Sequence, residues 1–101
     1  MAIPDFQSIM LPFLQLLADG KEHLHKDLIK GVANHFNLTE EERQELLPSQ
    51  RQAIITNRVG WAQTYLSKAG LVESPSRGVQ VITKRGLDAL KSNPKTVNMQ
   101  F

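Results

Sequence analysis

Few residues of this chain have the types and spacing that chemistry at a bond or a metal would require. The 101 residues include three histidines, His23, His25 and His35, and no cysteine. Disulfides, thiolate zinc sites and cysteine nucleophiles are thereby excluded, and the histidine spacing matches no zinc pattern. The glycines are scattered rather than gathered into a phosphate loop, and no serine-histidine-acid order emerges. No catalytic residue, metal or cofactor is therefore assigned. What the chain does carry is a set of cationic and hydrogen-bonding side chains in its second half, of the kinds that contact phosphates and base edges.

Charge sharpens that reading. The net +2 conceals two halves of opposite sign. Residues 1–50 hold four Lys/Arg against eight Asp/Glu, giving −4, whereas residues 51–101 hold eight against two, giving +6. A basic half suggests an anionic partner, with a dispersed solvated surface as the plain alternative. Arg51 and Arg77 are the foremost phosphate candidates, each in a segment read as a loop or turn, where a guanidinium costs little to bring against a backbone. Gln52 lies beside Arg51 and Ser76 beside Arg77. Asn57, Gln63, Thr64, Ser67 and Lys68 share the outer side of one helix and can reach base edges or phosphates. Arg58 sits at the edge of the buried side, divided between phosphate contact and an internal pair with an acidic residue of the second helix. Lys84 and Arg85 occupy the first turn of the last helix, where they oppose its dipole, and phosphate contact would supply a reason for them.

The elements that must position these residues follow from periodicity. Asp5 can cap a first helix whose Phe6, Ile9, Met10, Phe13, Leu14 and Leu17 form one face, with Pro12 expected off that face and bending the helix, and Gly20 as its stop. The segment GKEHL is a candidate minor strand. Leu28, Ile29, Val32, Ala33 and Phe36 form a second helix ended by Asn37. Thr39 and Glu42 have the spacing of a capping box, opening a short acidic helix expected to turn Leu46 and Leu47 inward before Pro48. A polar loop then delivers Arg51 and Gln52.

The next helix is read from Thr56 or Asn57 to Gly70, with Val59, Ala62, Leu66 and Ala69 inside. Gly60 falls on its outer side, where glycine costs about 1 kcal/mol relative to alanine and close approach by another molecule is its best use. Trp61 and Tyr65 are read as a core boundary rather than a stacking platform. Leu71 and Val72, the turn around Ser76, Arg77 and Gly78, and Val79, Val81 and Ile82 make a β-hairpin, with Val79 and Val81 on one face. Thr83 caps a last helix with Leu87 and Leu90 inward, ended by Asn93 and Pro94.

This order is that of an α+β, mostly helical fold, the winged helix-turn-helix: a helical bundle with a small β-hairpin wing, whose third major helix enters the major groove. The 41% apolar content suffices for one modest core, so residues 1–93 form one domain and 94–101 a tail or linker. The start MAIPDFQSIM lacks a signal-peptide pattern, and no apolar stretch approaches the roughly 20 residues of a membrane span. A cytoplasmic location and no membrane contact are expected.

The run NRVGWAQTYLSKAGLVESPSRGVQVITKRG, preceded by LTEEERQELLPSQRQ, resembles the N-terminal domain of Mrr-type restriction endonucleases over residues 3 to about 92. The resemblance implies a winged helix serving as the DNA-binding part of an enzyme that cuts modified DNA, joined to a nuclease domain in cis or trans. Asn57 and Arg58 match the family's NR pair, Trp61 its GWA tryptophan, and Ser76, Arg77 and Gly78 its hairpin tip. His25 departs from the family, which often caps that helix with serine. The acidic residue and E-x-K or Q-x-K triplet that would hold magnesium in such a nuclease are found on no plausible strand, so this chain is not expected to cut DNA. The partner expected is double-stranded DNA, with modified DNA as the special case. The rivals are a protein-interaction or homodimerisation module, favoured by an open Trp61 and Tyr65 patch, and a free-standing transcription regulator, which would bind a palindrome as a homodimer.

Overall fold

The computed structural model describes residues 3–92. In chain order these form α1 (Phe6–Leu16), β1 (His23–Leu24), α2 (His25–His35), α3 (Glu40–Gln44), α4 (Ile54–Lys68), β2 (Val72–Ser76), β3 (Val79–Ile82) and α5 (Lys84–Lys91). The strands make one antiparallel sheet in the order β1-β3-β2. Element order and sheet order together give the winged helix-turn-helix arrangement, with α4 as the third major helix and β2-β3 as the wing. The expected tail over 94–101, and the helix end at Asn93 and Pro94, lie outside the described residues.

The core is built on α1 and α4. Ile9, Phe13, Leu14 and Leu17 meet Val59, Ala62 and Leu66, with Leu28 and Val32 of α2 completing the cluster. Asp5 opens α1 as expected, its Oδ1 accepting from the Ser8 amide at 2.8 Å. Pro12 corrects the reading, since it is buried and the helix runs through it. At about 100° per residue, Pro12 lies only one helical step from the Ile9 and Phe13 side. Because α1 packs against α2, α4 and α5, its apolar arc is wider than the stripe its large residues define.

Two helix ends use the same device. Gly70, at φ +78°, and Asn37, at φ +54°, follow α4 and α2 in the left-handed conformation. Leu71 N–H then reaches Leu66 carbonyl at 3.0 Å, and Leu38 N–H reaches Ala33 carbonyl at 3.0 Å, the bonds of a Schellman motif.

The start of α3 is the expected capping box, with Thr39 N–H donating to Glu42 Oε1 at 2.8 Å and Glu42 N–H to Thr39 Oγ1 at 3.1 Å. Its end differs from expectation. The helix stops at Gln44, the backbone turns extended at Glu45, and Leu46 bridges Ala53 in antiparallel fashion. Leu46 is consequently 50% exposed rather than inward, and Leu47 is only half-buried. The same bridge moves the start of α4. Ile54 N–H donates to Glu45 carbonyl at 2.8 Å, so backbone pairing replaces a side-chain cap and the helix begins at Ile54 instead of near Thr56 or Asn57. Ile55 thereby joins the buried face, while Ala69 falls at the C-cap.

In the wing, Val79 and Val81 do share a face, but the face turned to the core is the other one, carrying Gln80 and Ile82. Val72, also buried, pairs with Ile82. Thr83 caps α5 by accepting from Gly86 N–H at 3.0 Å and donates its own hydroxyl to Gly70 carbonyl at 2.6 Å. Gly86 and Ala89 are the buried residues of α5. Leu87 and Leu90, expected inward, are half-buried against the core. A bulky inward pair would hold the helix off, whereas a Cβ at Gly86 would lie 2.2 Å from Leu71 carbonyl and 2.6 Å from Ile82 Cγ1.

Two glycines in helix interiors should therefore respond oppositely to alanine. Nothing lies within 4 Å of a Cβ at Gly60, so Gly60→Ala is expected to stabilise by about 0.5–1 kcal/mol. Gly86→Ala should destabilise by about 1–3 kcal/mol through overpacking despite the better helix former. Urea midpoints of both variants check the opposite signs. A second prediction concerns acid. The Ser8 backbone N–H foremost, with the Ser8 hydroxyl, holds the Asp5 carboxyl below its ordinary 3.8. Since folding lowers this pKa, the stabilisation is complete above the ordinary value and is lost as pH falls through the folded one. Asp5→Ala is expected to cost about 1 kcal/mol at neutral pH, and urea titrations at about pH 7 and about pH 3 should show the gap to wild type narrowing at the lower pH.

Candidate nucleic-acid interface

α4 carries no carboxylate along its length, and its outer side opens onto a cleft. Asn57, Gly60, Trp61, Gln63 and Thr64 form one wall of an open cleft of about 380 Å³. Gln52, from the loop before α4, His25 of α2 and Gln80 of β3 complete the lining. Four sequence-predicted residues, Gln52, Asn57, Gln63 and Thr64, thus come together in one place.

Their side chains are already ordered by one another. Asn57 Nδ2 donates to Gln52 Oε1 at 3.2 Å, and Gln63 Nε2 donates to Ser67 Oγ at 2.7 Å. The Thr64 hydroxyl donates back to Gly60 carbonyl at 2.9 Å, which fixes the side chain but uses its only proton. Lys68 is exposed, with its Nζ 5.7 Å from the centre of the Tyr65 ring, within cation-π range.

The arginines divide. Arg51 is exposed in the Leu46–Ala53 loop, whose shape is set by Leu47 N–H to Gln52 carbonyl at 3.0 Å and by Gln50 at φ +58°. Ser76 and Arg77 are exposed at the wing tip, where Gly78 takes φ +75°. The tip is anchored, because Gly78 carbonyl accepts from His25 N–H at 2.7 Å. Arg58 behaves otherwise. Its Nη1 donates to the carbonyls of Ile3 at 2.6 Å and Pro4 at 3.2 Å, strapping the segment before α1 onto α4. The internal partner is backbone carbonyl, not the acidic side chain of α2 that the sequence suggested. Lys84 and Arg85 are exposed in the first turn of α5, away from the cleft lining.

Among the described residues no lysine or arginine lies within 4.0 Å of a carboxylate, and the ion pair present joins His23 to Asp19 at 2.9 Å. The aromatic pair Trp61 and Tyr65 stays in contact, ring centres 6.1 Å apart, but the two differ in surroundings. Tyr65 stacks on Phe6, ring centres 5.0 Å apart and 19° between planes, and so belongs to the core boundary. Trp61 is 50% exposed beside the cleft.

Sequence reasoning missed Gln80 and took His25 for a weak cap. The available signal was a lone glutamine between valines on a strand, on the same face as Ile82. No group of three or more histidine or acidic residues that could hold a metal occurs among the described residues, and no helix there is long and apolar enough to cross a membrane.

Comparison with known proteins bears on this geometry. The profile of the Mrr N-terminal domain matches residues 6–92. Over 101 residues the chain is 32% identical to the type IV methyl-directed restriction enzyme EcoKMrr of Escherichia coli (strain K12), covering 99% of this chain and 33% of that enzyme. The chain spans about a third of the length of this curated relative. No solved structure matches. With the profile covering every element from α1 to α5, the chain belongs to the Mrr N-terminal domain family.

Proposed function

We propose that the chain binds double-stranded DNA and targets a modification-dependent restriction endonuclease, while the cutting is done by a nuclease domain in cis or trans. The observation that carries this reading is the outer side of α4, a helix face without carboxylates that opens onto a cleft and has a glycine with free space above it. Phosphates would meet the exposed Arg51 loop and the Arg77 wing tip, and bases would meet Asn57 and its neighbours. Lys68, Lys84 and Arg85 supply further positive charge, whereas Arg58 serves the fold. The acidic residues concentrate in residues 1–50, the half that contributes least to this face.

Two other readings are less well supported. A protein-docking module would use an open aromatic patch, but Tyr65 is packed on Phe6, leaving Trp61 as the large apolar side chain exposed on α4 among the described residues. A free-standing regulator fits poorly with membership in a family defined as an N-terminal domain. The methyl-directed relative supports modified DNA as the target, as it supports action inside the cell that the enzyme would protect.

Fluorescence anisotropy of a labelled mixed-sequence duplex, at low and at physiological salt, tests the reading. Wild type should bind in a salt-sensitive manner, and the Arg51→Glu/Arg77→Glu double variant should lose binding. Absence of wild-type binding even at low salt would sink the proposal in favour of protein docking. Arg77→Ala alone should weaken binding to all duplexes and lower the slope of log K against log salt by about one. An unchanged slope would remove the wing from the interface.

A further inference from the structure

The cleft beside α4 has a composition unlike that of a phosphate site. None of its lining residues is lysine, arginine, aspartate or glutamate, and four of them, Gln52, Asn57, Gln63 and Gln80, are carboxamides. Phosphate binding draws most of its free energy from lysine and arginine through counterion release, and this cleft has neither. A carboxamide instead offers a donor and an acceptor side by side, the pattern of a nucleobase edge. The volume of about 380 Å³ falls within the range of about 300–1,000 Å³ over which pockets enclose small organic groups.

Gln80 is the unusual member. It is 5% exposed, on the strand face that otherwise carries Ile82, where burying an unpaired amide costs about 1–3 kcal/mol. Its Oε1 accepts from His25 Nδ1 at 2.7 Å. Its Nε2 has no hydrogen-bond partner among the described residues, yet no fully buried side-chain nitrogen or oxygen there lacks a partner. That nitrogen is therefore reachable, and the cleft that Gln80 lines is where it opens. The same bond places a proton on His25 Nδ1, which leaves Nε2 of the neutral ring as an acceptor. His25 and Gln80 together hold one unused donor and one unused acceptor in a cleft that the half-exposed indole of Trp61 also lines.

We propose that this cleft receives the edge of one uncharged nucleobase, with Gln80 Nε2 donating to it, His25 Nε2 accepting from it and Trp61 lying against its apolar part. The inference rests on the DNA-binding reading and extends it to residues of α2 and β3. The base edge has two sources, a pair still stacked in the duplex and presented in the major groove, or a nucleotide swung out of the stack.

The test is selection of a random-sequence duplex library, prepared with and without adenine and cytosine methylation, followed by sequencing and by anisotropy on the enriched duplex. Wild type should enrich a motif. Gln80→Met and His25→Phe should each flatten the preference at one position of it, lowering affinity for the enriched duplex about tenfold, the scale of a good bidentate base contact. The salt slope should not change, since the contacts proposed for Gln80 and for an accepting His25 Nε2 involve no charge. Trp61→Ala, at an exposed position, carries the same expectation should a buried-site variant fail to fold. Preference intact in all folded variants overturns the proposal, as does a lowered salt slope or a wild type that binds every duplex alike. A wild type that binds no duplex overturns the DNA reading itself. With 2-aminopurine at the affected position, a rise in fluorescence on binding assigns the base to an extruded nucleotide, and unchanged fluorescence assigns it to the stacked duplex.

Discussion

The arrangement of helices and wing depends on how the first residue of α2 is held. His25 directly follows the short strand β1 and begins α2, and its backbone and side chain both bond to β3 and its turn. Its backbone N–H bonds Gly78 carbonyl at 2.7 Å, and its ring bonds Gln80 at 2.7 Å. A helix start normally needs an outside acceptor for its unpaired amides. Here one such acceptor is the wing itself, so the helical body and the sheet cannot be placed independently. The N-cap position is Leu24, which makes no side-chain cap bond, so His25 is not the cap the sequence suggested but the first helical residue, with a side chain long enough to cross to β3.

The two sides of α4 follow from the same economy. Its inner side, Ile55, Val59, Ala62 and Leu66, is fixed by burial against α1. Its outer side is held by hydrogen bonds among its own polar groups, Gln63 to Ser67 and Thr64 to Gly60, and by the bond from Asn57 to Gln52. Such ordering removes rotamer entropy before any partner arrives, which is the cost that a loosely held polar surface has to meet on binding. The consecutive residues Asn57 and Arg58 diverge for a simple reason. A step of about 100° turns the amide to the cleft and the guanidinium to the carbonyls of Ile3 and Pro4, so a motif that reads as one unit divides between interface and scaffold.

The glycines show how identical residue types serve opposite purposes. Gly86 lets α5 settle against Leu71 carbonyl and Ile82, where a methyl group has no room, whereas Gly60 faces open space. The first is explained by packing within the chain. The second has no such explanation, and the cost of about 1 kcal/mol for glycine in a helix interior is offset by nothing inside the described fold.

Period and punctuation in the sequence determined the order of elements, the Asp5, Thr39 and Thr83 caps, the left-handed ends at Asn37 and Gly70, the wing tip at Arg77 and Gly78, and the opposite charges of the two halves. These are short-range matters, settled within one or two turns of chain by backbone hydrogen bonding and side-chain shape. Tertiary structure decided the rest. Pro12 became buried because α1 is packed on several sides, and α4 began early because Leu46 and Ala53 pair across their loop. Arg58 turned inward because carbonyls from the distant N-terminal segment lie within its reach. Gln80 and His25, 55 positions apart, became partners only when β3 docked beside α2. Local pattern carries no information about such a pair, since the energy that joins them is spent on closing the chain around a core that neither residue defines.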